Sequence, residues 1–118
     1  MTVSNSNDDS TIGLSRQDAE LVANALNEVL NGISVVDFSV RVGQQDVVDD
    51  LQRQISRLLG ADPSMHLEFV LNDAQLLVLR RSLDLVVADI EDAEFETRLG
   101  GTKVDASKLA ARLGSNSS

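Results

Sequence analysis

Along most of the chain, apolar residues recur every three or four positions, which is the spacing of an α-helix that buries one face. The first such stripe comprises Leu21, Val22, Ala25, Leu26, Val29, Leu30 and Ile33. Similar stripes predict long helices over about residues 45–59, 73–90 and 104–113, and short helices at about 35–42 and just before Gly100. Ser15 and Asn72, or its neighbour Asp73, are good N-cap residues for the two helices that follow them. The pattern predicts a mostly α-helical fold.

Two short segments break this helical spacing. In residues 65–71, apolar and polar positions alternate, which places Leu67, Phe69 and Leu71 on one face and His66, Glu68 and Val70 on the other. Such alternation predicts a half-buried β-strand. Residues 10–14 are expected to form a second short strand that pairs with the first, with Ile12 opposite Phe69. The sequence therefore predicts a small two-stranded sheet beside the helices.

An internal repeat organises these elements. When the chain is shifted by 57 residues, positions 14–47 match positions 71–104 without a gap. The identical pairs are Leu14/Leu71, Leu26/Leu83, Val29/Val86, Ile33/Ile90, Phe38/Phe95, Arg41/Arg98, Gly43/Gly100 and Val47/Val104. The repeat predicts two diverged three-helix units, residues 10–62 and 63–113, which pack as one domain with pseudo-two-fold symmetry. Residues 1–9 and 114–118 are expected to be disordered tails.

A Phe-x-x-Arg-x-Gly motif recurs in both units, with these members: Phe38, Arg41 and Gly43; Phe95, Arg98 and Gly100. The preferred interpretation is structural. Each Phe anchors a short helix in the core, each Arg meets the negative end of the helix dipole, and each Gly ends the helix with a left-handed residue. The alternative is a site present twice, in which the arginines bind a phosphate or a carboxylate.

The helix predicted at residues 73–90 is apolar around most of its circumference. Leu77 and Leu85 stand where the first unit has Glu20 and Glu28. A helix of this kind must be covered on more than one side. We therefore expect it to be the most buried helix, or else to form a homodimer seam through Leu77 and Leu85.

Composition narrows the range of functions. The chain has no cysteine, three phenylalanines and neither tryptophan nor tyrosine, so disulfides, thiolate metal sites and cysteine nucleophiles are excluded. Its core must consist mainly of aliphatic side chains. No apolar run approaches the length of about 18 residues that suggests a membrane span, and residues 1–10 lack the pattern of a signal peptide. We expect a cytoplasmic protein that does not enter membranes.

Nothing in the sequence assembles a catalytic or metal site. His66 is the only histidine, and neither Glu68 nor Ser64 nearby completes a catalytic arrangement around it. The acidic run at residues 89–96 lacks the ligand spacing and central glycine of a calcium loop. We expect no enzyme activity, no metal and no cofactor.

The net charge of −9 makes the chain a partner for basic rather than acidic surfaces. The favoured function is a non-catalytic protein-interaction module whose acidic surface binds a basic protein, in the manner of an inhibitor, an antitoxin-like protein or an adaptor.

The alternative is a nucleic-acid-binding regulator. The stretch around each motif resembles the helix-turn-helix of DNA-binding proteins, which has apolar residues six and nine positions after the glycine. The second unit has Ala106 and Leu109 there, with Lys103, Lys108 and Arg112 as basic residues. The first unit departs from the pattern, with Asp49 and Gln52 at the same places. Because the whole chain is acidic, we expect no nucleic-acid binding.

Overall fold

The computed structural model describes residues 9–33 and 35–116. The chain begins with strand β1 (Asp9–Ser15), helix α1 (Arg16–Asn27) and a π-helical turn (Glu28–Gly32). Helices α2 (Phe38–Arg41) and α3 (Gln45–Ala61) follow. Its second part consists of strand β2 (His66–Asn72) and helices α4 (Asp73–Asp89), α5 (Asp92–Leu99) and α6 (Lys103–Asn116). The predicted mostly α-helical fold with a small two-stranded sheet is confirmed.

The two strands pair antiparallel in the predicted register, with Ile12 opposite Phe69. Along β2 the side chains alternate between exposed and buried, so that Leu67, Phe69 and Leu71 face the core. Each strand leads directly into a long helix. At the centre of this ladder Ile12 faces the residue that the 57-residue shift assigns to it, whereas the flanking pairs, such as Leu14 and Leu67, are offset from the shift.

Both long helices begin at the predicted polar residues. The Ser15 hydroxyl accepts a hydrogen bond from the backbone N–H of Asp18 at 3.1 Å. At the start of α4, the Asn72 side chain accepts from the Gln75 N–H at 2.8 Å, and the Gln75 side chain accepts from the Asn72 N–H at 2.9 Å. These bonds satisfy backbone donors that a helix start otherwise leaves free.

The order of elements in the first part of the chain recurs in the second. Helix α1 packs against α3, and α4 packs against α6, while α1 and α4 also contact each other. Buried side chains from both parts form one continuous core cluster, which includes Ile12, Leu26, Leu83 and Phe95. The two-fold relation between the units stays a prediction.

Helix α2 is much shorter than the predicted helix at 35–42, since it comprises only Phe38–Arg41. Asp37, which precedes it, has a left-handed backbone with φ of 54°. The segment before it contains Ile33, Val35 and Val36, and β-branched residues lose side-chain freedom in a helix. The chain therefore enters α2 late.

Two helices extend beyond the predicted ends. Helix α3 runs through Gly60 to Ala61, and α6 continues to Asn116, so that residues 114–116 of the expected tail are helical. A glycine costs only about 1 kcal/mol in a helix and does not end it by itself. Residues 1–8, 117 and 118 of the predicted tails lie outside the described residues. Within the described ranges, no helix combines the length and apolar character needed to cross a bilayer.

Candidate functional site

The motif of the second unit ties the two parts of the chain together. Phe95 is 1% exposed, and Gly100 ends α5 in a left-handed conformation with φ of 82°. Arg98 forms an ion pair with Glu28 of the first unit and a longer one with Glu94 at 3.7 Å. The hydrogen bond to Glu28, and then the charges of both carboxylates, raise the pKa of the Arg98 guanidinium.

The motif of the first unit is built differently, which corrects the expectation of two equivalent anchors. Phe38 is only half-buried, and Arg41 is exposed. Val42 ends the short helix, and it is the fully buried side chain at this point. Gly43 has a positive φ of 147°, as expected of glycine at this place, but the residue that caps the helix is Val42, in the right-handed region. The C-cap residue Val42, rather than Phe38, therefore places its side chain in the core.

Arg41 faces a different neighbour from Arg98. The repeat aligns Glu28 with Leu85, and Arg41 lines a depression of about 330 Å³ together with Leu85, Arg81, Asp84 and Ala88. In the described part of the chain, Arg41 and Arg81 form no ion pair with Asp84 or with any other carboxylate. Arg81 donates a weak hydrogen bond of 3.3 Å to the Val40 carbonyl.

The two leucines predicted at an interface are in different positions. Leu85 is buried, with 7% of its surface exposed, because α4 is covered within the chain by α1, α3 and α6. The burial of Leu85 matches the expectation of a covered helix, while its side chain still lines the depression around Arg41 and Arg81; a place for Leu85 at a homodimer seam stays a prediction. Leu77 is 38% exposed and remains accessible to a partner.

A cleft of about 230 Å³ between α5 and the start of α6 is lined by two carboxylate side chains. We call it the acidic cleft, and its lining residues are Asp92, Phe95, Glu96, Thr102, Lys103 and Val104. Asp92 and Glu96 are four residues apart on α5 and so lie on the same side of that helix. Val104 contributes an apolar side chain that is 60% exposed.

Lys103 already places a cation in the acidic cleft. Its Nζ lies 2.8 Å from Asp92 Oδ1 and 5.9 Å from the centroid of the Phe95 ring. An ammonium group above an aromatic ring is attracted by the negative ring face. Glu96 is exposed and forms no ion pair within residues 9–33 and 35–116. The cleft therefore offers one carboxylate that is neutralised and one that is free.

No family model matches the chain, nor does any curated protein or solved structure. Its function must therefore be inferred from its own surfaces.

The basic residues of the helix-turn-helix alternative are mostly engaged. Lys103 bonds Asp92, and Arg112 contacts Asp18 Oδ2 at 3.3 Å and donates to the Gly13 carbonyl at 3.1 Å. Ala106 and Leu109 are buried, as such a motif would place them. These two positions are thus buried as in a helix-turn-helix, while two of the three cations of the hairpin are bound to the chain itself.

The remaining polar candidates do not come together. His66 is exposed on the face of β2 that points away from the core, and no hydrogen bond to its imidazole is formed within the described residues. In the same residues, no group of three or more acidic or histidine side chains is arranged to hold a metal ion. Ser82 is fully buried on α4, and its hydroxyl has no partner within the described ranges.

Asp62 is the one described carboxyl group whose pKa is clearly lowered. Hydrogen bonds from the Ser64 side chain and backbone are the main cause, and the Ser64 N–H lies 2.9 Å from Asp62 Oδ1. Arg16 adds a smaller charge effect and donates to the Asp62 carbonyl at 2.7 Å. This cluster ends α3 and joins it to the start of α1, so its role is structural.

The sequence did not indicate a functional role for Glu96, Val104, Arg81 or Asp84. The pattern of charges could have identified Glu96, which lies in the acidic run at residues 89–96. Arg81 and Asp84 lie in a helix whose sequence pattern is dominated by apolar residues. Only their exposure in the folded chain shows that they are surface groups.

Proposed function

We propose that the chain is a non-catalytic protein-interaction module that binds a basic segment of a partner protein in the acidic cleft. The observation that carries this proposal is the position of Lys103. A lysine ammonium lies in the cleft against Asp92 and above Phe95. The chain thus contains an example of the chemistry that the cleft accepts, while Glu96 beside it has no cation.

The shape of the cleft suits a long basic side chain. Lysine and arginine bury their aliphatic stems on apolar surface and keep the charged end near water. Val104 supplies such a surface, and Glu96 supplies the charge. The charge of −9 also attracts a basic protein from a distance and raises the rate of encounter. An inhibitor, antitoxin-like protein or adaptor that acts in the cytoplasm would use these properties.

Photo-cross-linking in the source cell tests where the partner binds. A benzophenone amino acid is placed at Val104 in the cleft and, as a control, at Val70, which is 58% exposed on the far side of β2. We expect a basic protein to cross-link from position 104 and not from position 70. Cross-linking from position 70 alone, or from neither position, would contradict the proposal.

Binding of the purified partner then tests the chemistry. Glu96→Lys should weaken binding by about tenfold or more, because it places a like charge beside the incoming cation. Asp50→Lys makes the same change in charge on the exposed surface of α3 and should have a much smaller effect. Added salt should weaken binding to the wild-type chain. Equal effects of the two substitutions would show that the cleft is not the binding site.

The helix-turn-helix alternative has the buried positions of Ala106 and Leu109 in its favour. Against it stand the internal bonds of Lys103 and Arg112, since binding to DNA uses several free cations to neutralise phosphates. A protein partner therefore remains the preferred proposal.

A further inference from the structure

One face of α4 is exposed although the rest of the helix is covered. The exposed residues along the middle of this helix are Ala74, Leu77, Arg81, Asp84 and Ala88, which we call the α4 stripe; Asp73 and Asp89 at its two ends are exposed as well. They alternate between spacings of three and four residues. This is the spacing with which two helices pack along their length at a small crossing angle.

The charges of the α4 stripe are unpaired and occupy its centre. Arg81 and Asp84 line the same depression as Arg41, and within residues 9–33 and 35–116 none of the three forms an ion pair. The only hydrogen bond made by the Arg81 guanidinium there is the weak one to Val40. Both charged groups at the centre are therefore free to meet a second surface.

We propose that the α4 stripe binds a second copy of this chain in an antiparallel helix pair. Around a two-fold axis that passes between positions 81 and 84, Arg81 of one protomer faces the partner's Asp84, and the reverse contact forms as well. Leu77 then packs against the partner's Ala88. Every contact occurs twice, as a closed two-fold interface requires.

The order of residues along the stripe favours a second copy over an unrelated partner. About the axis between positions 81 and 84, each of the two charges meets its opposite, and the large Leu77 meets the small Ala88; Ala74 lies outside these paired positions. Two chains of charge −9 repel each other over most of their surface. The two arginines of this depression outnumber its single aspartate, so the repulsion is reduced here. Val40 lies at the edge of the stripe and is 72% exposed, so the pairing would cover it in part.

Complementary charge variants test this interface on the full chain. Arg81→Asp creates an all-acidic stripe, and Asp84→Arg creates an all-basic one. Each variant alone should raise the dimer Kd by roughly tenfold or more, because both central contacts become repulsive. An equimolar mixture should recover the dimer, since every contact between the two variants is again between opposite charges. Sedimentation equilibrium measures the masses against the 12.7 kDa monomer.

Several outcomes would overturn the proposal. They are a wild-type chain that stays at 12.7 kDa at its highest soluble concentration, variants that dimerise like wild type, and a mixture that stays monomeric. Arg57→Asp and Asp50→Arg make the same changes of charge at exposed positions of α3 and should leave the dimer Kd unchanged. Far-UV circular dichroism checks folding, and Leu77→Gln serves as a second test that introduces no charge.

Discussion

Phe38 and Phe95 occupy matched positions of the repeat but differ in burial, so truncation of each to alanine should have unequal effects. Phe95 is 1% exposed, and its ring lies beneath the Lys103 ammonium. Phe38 is half-buried and packs against the edge of the core. The residue type and the motif around it are the same, so the difference in the free energy of unfolding measures the surroundings.

The expected magnitudes follow from burial. Phe95→Ala should destabilise the chain by about 3–5 kcal/mol, because it removes an enclosed ring and leaves a cavity. Phe38→Ala should cost about 1–2 kcal/mol, since part of its ring is already in water and no closed cavity forms. For 118 residues the total stability is about 6–18 kcal/mol, so both variants should remain folded at room temperature.

Urea unfolding, followed by helical circular dichroism, measures both changes. The chain contains no tryptophan or tyrosine, so intrinsic fluorescence gives no useful signal. The slope of free energy against urea should stay constant, which would show that the variants lose stability rather than compactness. Losses that agree within about 0.5 kcal/mol, small beside the usual cavity cost, would refute the assignment of different environments to the two rings.

Three further predictions concern backbone, pH and nucleic acid. Gly60→Ala should stabilise the chain by about 0.5–1 kcal/mol, because a β-carbon at this position of α3 meets open space. Gly100→Ala should destabilise the chain by about 1–2 kcal/mol, because residue 100 has a positive φ that alanine adopts only with strain. Thermal unfolding of the two variants measures both changes in stability. Folding lowers the pKa of Asp62, so the ionised carboxylate stabilises the folded chain above the ordinary pKa, and this contribution is lost as pH falls through the lowered pKa. In Asp62→Asn, the free energy of unfolding should therefore depend less on pH in the acid range, as urea titrations at several pH values would measure. Titration into duplex DNA at low salt should show no specific binding, and tight, salt-sensitive binding would contradict this.

The sequence predicted the parts of the fold that follow from local spacing. Alternation gave β2, helical stripes gave the long helices, and the repeat correctly placed Ile12 opposite Phe69. These features depend on one residue and its near neighbours, or on a comparison of two segments. They can be recognised without knowing how the helices pack.

What the sequence could not give depends on packing between distant segments. The same motif is buried at Phe95 and half-exposed at Phe38, because the short helix before Val42 forms only four residues. The acidic cleft needs Lys103 of one helix beside Asp92 of another. The burial of Leu85 and the exposure of Arg81 likewise follow from which faces of α4 the other helices cover, and the apolar content of α4 does not reveal this.

The differences between the two units are coupled through one ion pair. Glu28 reaches Arg98 from the π-helical turn, and its carboxylate occupies the space that a β-carbon at Gly32 would need. In the second unit, Leu85 stands at the position that matches Glu28, and Asp89 stands at the position that matches Gly32. The second unit therefore lacks the acid of the first position and the glycine of the second. Arg98 therefore joins the units internally, whereas Arg41 is left without a carboxylate in the described chain. The leucine at position 85, in place of an acid, thus leaves Arg41 as an exposed basic group beside the α4 stripe.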